Sequence, residues 1–347
     1  MKRLAFLFAF ALLAACAKPH DGAVLTYGSL YPPSHPFSRA DVTWIKWVET
    51  ESGGRLKIHP YWSGGLLSSD ESMAELRHGL LDIGLITPIY ARGGAQVIRV
   101  QSGFYGGTHS YAEQLQVYHC MASAFPDFAH ETEGLKILAV QGGNLPGVVT
   151  RSRPVHTLED LKGLRLRAPQ ELTGLLADIG ADPVNMAMQD VYSALAKGVI
   201  DGVVAPADTL QSLHFNEVAK HFTTARFARG AYPSRAISLK TWEKLPPDMK
   251  ALLERSIPVW EKAMETEVTK AQDVGFAFGR KNGIDFVDFA PDSQAQLDEL
   301  YNREALIAAR NVKRGDATAE PIFNLAQQTI QNLRLGAPNP CPTGGAQ

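Results

Sequence analysis

The residues best suited to chemistry are two arginines two positions apart, in the run Leu164-Arg165-Leu166-Arg167-Ala168. A guanidinium stays charged on burial and offers a planar fork that matches a carboxylate with two parallel hydrogen bonds. Residues 164–168 read as a strand, and its period of two puts both arginines on one face. Arg165 is farther from the strand end and reads as solvated or salt-bridged. For Arg167 two roles stand open, a clamp on an anionic ligand or an internal salt bridge. Little else suggests catalysis: the chain has no His-Glu-x-x-His, no Gly-x-Ser-x-Gly and no phosphate loop. His109, His119 and His130 lack metal-ligand spacing and read as solvated, so no metal or cofactor is expected. His35 follows the first strand in a proline-rich loop, a place where binding residues gather, yet a surface histidine is the plainer reading. Met186 and Met188 read as core filler.

Cysteines supply the other reactive groups. Lys2 and Arg3 precede an apolar run over residues 4–13 that is too short to span a bilayer. Leu13-Ala14-Ala15-Cys16 then has the form of a lipobox, in which the cysteine is acylated and becomes the new N-terminus. Residues 1–15 are therefore read as a signal peptide, and 16–22 as a polar tether from a lipid anchor. That places the protein outside the cytoplasm, in the periplasm or its equivalent. In an oxidising compartment the two remaining cysteines, Cys120 and Cys341, suggest a disulfide. Two unpaired thiols are the alternative.

These groups need a scaffold. About 325 residues follow the tether, more than one typical core organises. The 34 Lys and Arg against 36 Asp and Glu give a net charge of −2 with the signs interspersed, which argues against a nucleic-acid partner. Strands at 24–29, 55–61 and 82–87 alternate with helices from Ser38 to Gly53 and over 69–78. Ser38 with Asp41 resembles a capping box. A second series follows Gly134: strands at 135–141, 164–168, 183–186 and 201–205, and helices at 158–162, 171–179 and 190–197. Repeated β-α-β units imply parallel sheets with right-handed crossovers. Leu252, Leu253, Ile257, Trp260, Met264, Val268 and Val274 recur at helical spacing, predicting one helix over 248–281, roughly 50 Å long. Helices over 302–310 and 321–333 complete the chain.

Several of these stretches, in order, resemble the periplasmic substrate-binding subunits of tripartite ATP-independent (TRAP) transporters. The strongest block runs from Pro154-Val155-His156-Thr157-Leu158-Glu159-Asp160-Leu161-Lys162-Gly163 to Leu164-Arg165-Leu166-Arg167. It is joined by Gly180-Ala181-Asp182-Pro183-Val184 and by Asp190-Val191-Tyr192-Ser193-Ala194-Leu195 with Gly198-Val199-Ile200-Asp201-Gly202. His78-Gly79-Leu80-Leu81-Asp82-Ile83-Gly84 and Thr241-Trp242-Glu243-Lys244-Leu245-Pro246 fit as well. The resemblance implies an α/β periplasmic binding protein fold with two lobes, joined by crossing strands and bridged by a long helix. Lobe I would comprise 23–143 and lobe II 144–231. The return strand and long helix would take 232–281, the C-terminal strand and helices 282–336, and a tail 337–347. The implied function is capture of a small organic anion in a cleft for TRAP membrane subunits, with no catalysis. Presentation of the ligand to a membrane sensor is the alternative.

The resemblance gives Arg167 the role of carboxylate clamp. Departures bear on the ligand. Val204 and Ala205 stand where polar residues are common, and Asn144, Leu145 and Pro146 occupy a loop that often carries a second arginine. One end of the ligand would then be clamped while the rest meets apolar walls, as suits a monocarboxylate with an apolar body. With no acid at Val204, a bridging cation is not expected. Tyr90, Phe104 and Tyr232, beside strand ends, are candidate walls. Gln170, Asn144, Ala205 and Asp208 are candidate lining residues.

Overall fold

The computed structural model describes residues 22–341. The expected signal peptide, Cys16, most of the tether and the end of the tail lie outside this range.

Two sheets form two lobes. Lobe I holds β1 (Ala23–Gly28), β2 (Leu56–Tyr61), β3 (Ile83–Leu85) and β4 (Leu135–Gln141). Lobe II holds β5 (Gly147–Thr150), β6 (Arg165–Arg167), β7 (Asp182–Val184), β8 (Gly202–Ala205) and β9 (His221–Thr223). The chain then returns to lobe I as β10 (Tyr232–Ser238) and later adds β11 (Asp285–Val287) to lobe II. The strand orders are β2-β1-β3-β10-β4 and β11-β9-β5-β8-β6-β7. In each sheet the strand arriving from the other lobe, β10 or β5, runs antiparallel to its neighbours. This is the two-lobed α/β arrangement that the sequence suggests.

The lobes are joined by two crossings, residues 142–146 and 224–231, which meet where the Phe227 amide donates to the Pro146 carbonyl at 3.0 Å. Backbones approach so closely here that a Cβ on Gly147 would stand 2.3 Å from the Thr223 carbonyl oxygen. A helix also bridges the lobes, but the predicted single run is broken. Pro247–Arg255 ends at Ser256, and a new helix, Ile257–Lys281, starts with Pro258 in its first turn. A proline has no N–H to continue a helix, yet fits its first turn. The second helix has 25 residues, hence about 37 Å of length. Its lobe I half buries Trp260, Met264 and Val268 against the helix Pro36–Glu51. Its lobe II half carries Gly275, where a Cβ would sit 2.4 Å from the Ala207 carbonyl oxygen. Large side chains grip one lobe and small ones admit the other.

Local signals were overridden at Asp41. Pro36–Glu51 starts two residues before Ser38, capped by His35, whose Nδ1 accepts from the Phe37 amide at 3.2 Å. Asp41 is not a capping residue; it lies fully buried in lobe I and pairs with Arg235, Nε to Oδ1 at 2.8 Å and Nη2 to Oδ2 at 3.2 Å. Trp260 Nε1 and the Tyr27 hydroxyl donate to the same carboxylate at 2.9 and 2.5 Å.

Candidate functional site

Arg167 is the last residue of β6, 1% exposed. Its Nε donates to the Met186 carbonyl at 2.9 Å. Its Nη2 crosses to lobe I and donates to the Tyr90 hydroxyl at 2.5 Å. No carboxylate among the described residues pairs with it. Arg165, two residues back, behaves differently: Nε and Nη2 bind the Asp201 carboxylate at 3.0 and 2.8 Å. The salt-bridge reading therefore holds for Arg165 and not for Arg167. The seam is closed in this state, since Ser69 Oγ of lobe I also bonds Gln189 Oε1 of lobe II at 2.8 Å.

Around Arg167 stand three phenols and a second cation. The Tyr31 phenol is driven up by burial and lies within electrostatic reach of Tyr232, Tyr90, Arg229 and Arg167. Tyr232, at the start of β10, is pushed up to about 12 by burial and receives a hydrogen bond from Gln141 Nε2 at 3.1 Å. Arg229 comes from the second crossing. Its guanidinium lies across Gly143 of the first crossing, where a Cβ would meet its Cζ at 2.3 Å. No hydrogen bond or ion pair to Arg229 is found among the described residues, yet its field reaches Tyr31, Tyr232, Glu171 and Asp208. The expectation of a single cation is thus corrected. The first crossing carries none, and the second crossing brings one to the same place. Tyr31 and Arg229 were both missed. Position after β1 could have flagged Tyr31, but nothing local marks Arg229.

The other predicted residues divide. Tyr90 bonds Arg167 as described, and Tyr232 lies within electrostatic reach of Arg229 and Tyr90. Gln170 is exposed, accepts from Asn185 Nδ2 at 2.8 Å, and lines an outer pocket of about 360 Å³ with Tyr90 and Met186. Asn144 and Asp208 bond each other at 3.2 Å, and Asn144 Nδ2 also donates to the Val268 carbonyl at 2.8 Å. They tie the first crossing to lobe II and the bridging helix, and burial raises the Asp208 carboxyl. Phe104 is not a wall: it is fully buried in lobe I, edge-on to Phe323 at 5.4 Å. Ala205 is likewise core, paired with Gly147 and packed among the lobe II apolar residues. His35 is not a surface residue. It is 4% exposed and stacked on Tyr31 at 4.0 Å, and burial first, then Arg39, lowers it to about 3, so it stays neutral. Cys120 and Cys341 stand with sulfurs in bonding contact and Cα atoms 5.2 Å apart. A groove of about 720 Å³, lined by Leu145, Arg226, Ala228 and Asn302, contains none of the residues around Arg167. Among the described residues no cluster of His, Cys, Asp and Glu could hold a metal ion, and no helix is long and apolar enough to cross a membrane.

Comparison with known proteins follows this geometry. Residues 27–305 match the model of a family described as bacterial extracellular solute-binding protein, family 7. A solute-binding protein of Albidiferax ferrireducens is 27% identical over 292 residues, covering 82% of this chain and 83% of that protein. A crystal structure of a TRAP solute-binding protein from Rhodoferax ferrireducens, in complex with copurified benzoate, superposes with TM-score 0.81 at 18% identity, covering 91% of this chain and 100% of that one. One from Sulfitobacter sp. with bound β-D-galacturonate gives TM-score 0.72 at 17% identity, covering 88% and 100%.

Proposed function

The chain belongs to bacterial extracellular solute-binding protein family 7, and on that premise we propose that it captures a monocarboxylate with an apolar or aromatic body for the membrane subunits of a TRAP transporter. The family is one of transport binding proteins, not enzymes. The observation that carries the reading is Arg167, a buried guanidinium with no acid partner. Burying an unpaired charge is costly, and a ligand carboxylate would relieve that cost. Tyr31, Tyr90 and Tyr232 offer flat walls for an apolar body. Two cations, Arg167 and Arg229, share the cleft with two acids, Glu171 and Asp208. Burial raises both carboxyls, and Arg167 and Arg229 offset part of that rise at Glu171. The benzoate-bound relative supports an aromatic body, and the galacturonate-bound one marks the competing class.

Calorimetry on a graded acid series tests this reading. Arg167→Ala should lose about 2–5 kcal/mol, roughly 30- to several-thousand-fold in affinity, and Arg167→Lys should recover only part of it. Affinity should rise with the apolar bulk of a monoacid. Tight binding by Arg167→Ala would remove the clamp, and a preference for dicarboxylates or uronates would refute the apolar pocket. We also propose that Cys16 is acylated and holds the protein at the membrane. Cys16→Ser should then release it to the soluble periplasmic fraction or leave an unprocessed precursor; membrane retention with normal processing would contradict the anchor.

A further inference from the structure

Beside the crossings runs the groove of about 720 Å³ that shares no residue with the Arg167 site. Arg226 and Ala228 of the second crossing line it, whereas Arg229, which lies over Gly143, does not. One bank belongs to lobe II. Gln294 and Asp298 stand on the helix Pro291–Asn311 beside Leu297, which packs in the lobe II core. The other bank belongs to lobe I. Gly106 and Gly107 follow the core residue Tyr105, and Arg334 lies on the final helix Glu320–Leu335, whose Phe323 and Ile330 are core. Both lobes therefore build the groove.

Its lining suits an anion that also carries hydroxyls. Each bank holds an arginine with no acid partner among the described residues. Gln294 fixes the Arg226 backbone, accepting from its amide at 2.9 Å and donating to its carbonyl at 3.0 Å, and leaves the guanidinium free. Arg334 Nη2 donates to the Gly107 carbonyl at 2.9 Å, and a Cβ on Gly107 would collide with that guanidinium. Against these two cations the lining offers one acid, Asp298. Guanidinium groups match phosphate oxygens, and a phosphate monoester carries close to two charges at neutral pH. Carboxamides from Asn302, Asn324, Gln328 and Gln331 complete the walls, and such groups both donate to and accept from hydroxyls. Asn302 Oδ1 is buried with no partner, an acceptor without a donor. The volume suits a compact organic molecule, of which a bare ion would fill little.

We propose that this groove is a second ligand site, that it takes a phosphorylated polyol, and that its occupancy holds the lobes closed. A ligand touching both banks favours the lobe placement that forms the groove. Here that is the closed placement, with Ser69 bonded to Gln189 and Arg167 to Tyr90 across the seam. The site goes beyond acid capture and stands or falls without it.

Calorimetry with glucose 6-phosphate, glucose and inorganic phosphate tests the site. Glucose 6-phosphate should bind the wild-type protein and also Arg167→Ala, whose cleft has lost its clamp. Joint replacement Arg226→Gln and Arg334→Gln should weaken it about 10-fold or more, and glucose or phosphate alone should bind weaker by a similar factor. Closure is read separately, from the distance between spin labels at the exposed positions Leu80 and Val199, introduced as Leu80→Cys and Val199→Cys. With no acid present, glucose 6-phosphate should raise the closed fraction in otherwise wild-type protein and not in the double arginine variant. No binding, or binding lost in Arg167→Ala yet untouched by the two glutamines, would overturn the site. Phosphate binding as tightly as the sugar phosphate would overturn the polyol, and binding that leaves the label distance unchanged would overturn the hold on closure.

Discussion

β1 of lobe I and β6 of lobe II occupy the same place in two sheets of matching strand order, yet one ends in Gly28 and the other in Arg167. The match extends to single atoms. Asp82 Oδ2 accepts from the Thr26 amide at 2.8 Å, and Asp201 Oδ2 accepts from the Arg165 amide at 2.9 Å. Two residues further on, Gly28 faces Gly84 and Arg167 faces Val203. Around Gly28 the space is taken, since a Cβ there would meet Leu81 Cδ1 at 2.6 Å and Leu67 Cδ1 at 2.9 Å. At the equivalent place lobe II projects a guanidinium across the seam to Tyr90. One frame thus ends against a wall of core leucines in one lobe and in a charged clamp in the other.

The same contrast separates the two fully buried arginines. Arg235 in lobe I is matched by Asp41, by Gln141 Oε1 at 3.0 Å, and by the neighbours that share the Asp41 carboxylate. Arg167 in lobe II has a phenol and a carbonyl. The first arrangement is complete in itself, and the second is completed by a ligand. Asp41→Ala should therefore destabilise the protein by about 3–5 kcal/mol, because it leaves Arg235 buried without its partner. Arg167→Leu should leave unliganded stability unchanged or raised, while abolishing acid binding. Urea denaturation of both variants checks this, and similar losses of stability would erase the distinction.

Lobe I is also the lobe that carries the cysteine pair. Cys120 lies in the helix Tyr111–Ala124, against which the final helix Glu320–Leu335 packs before the chain reaches Cys341. We propose that the pair is closed in the oxidised protein. Unfolding without reductant should then expose no titratable thiol, and Cys341→Ser should cost about 2–4 kcal/mol. Two thiols titrated under those conditions would show the pair open.

What the sequence made legible was what local signals decide. Repeated helix, glycine and strand patterns mark the parallel parts of the two mixed sheets, and a strand-end arginine inside a long matching block marks Arg167. What stayed hidden depends on distant chain segments meeting. Asp41 sits three residues after a serine and reads as a cap until β10 brings Arg235 to it. Arg229 enters the site only because the two crossings meet there, and no spacing in either segment announces it. Phe104 shows the converse: expected beside a strand end, it follows the helix Gln96–Gln101 and is packed over by a helix some 220 residues later. The break before the bridging helix was readable from Pro258, but the apolar period runs through it unbroken.

The smallest expected effect tests the comparison most directly, because it applies one change to both lobes. Asp201 pins β6 through the Arg165 amide and guanidinium, and Asp82 pins β1 through the Thr26 amide and hydroxyl and through Thr241 Oγ1 at 2.7 Å. The Arg165 guanidinium holds the Asp201 carboxyl below its ordinary range. Its contribution is therefore complete at neutral pH and lost only as pH falls through that depressed value. At pH 7 each aspartate replaced by Ala should cost about 1 kcal/mol of stability, discounted for partial exposure. The functional consequences should differ. Asp201→Ala frees the strand that aims Arg167, so affinity for a bound acid should fall several-fold. Asp82→Ala frees a strand that ends in a glycine under two leucines, so affinity should stay within about 2-fold at the same loss of stability. Equal losses of affinity in calorimetry would mean that both strand ends shape the ligand site, and that the contrast between wall and clamp is not what positions the acid.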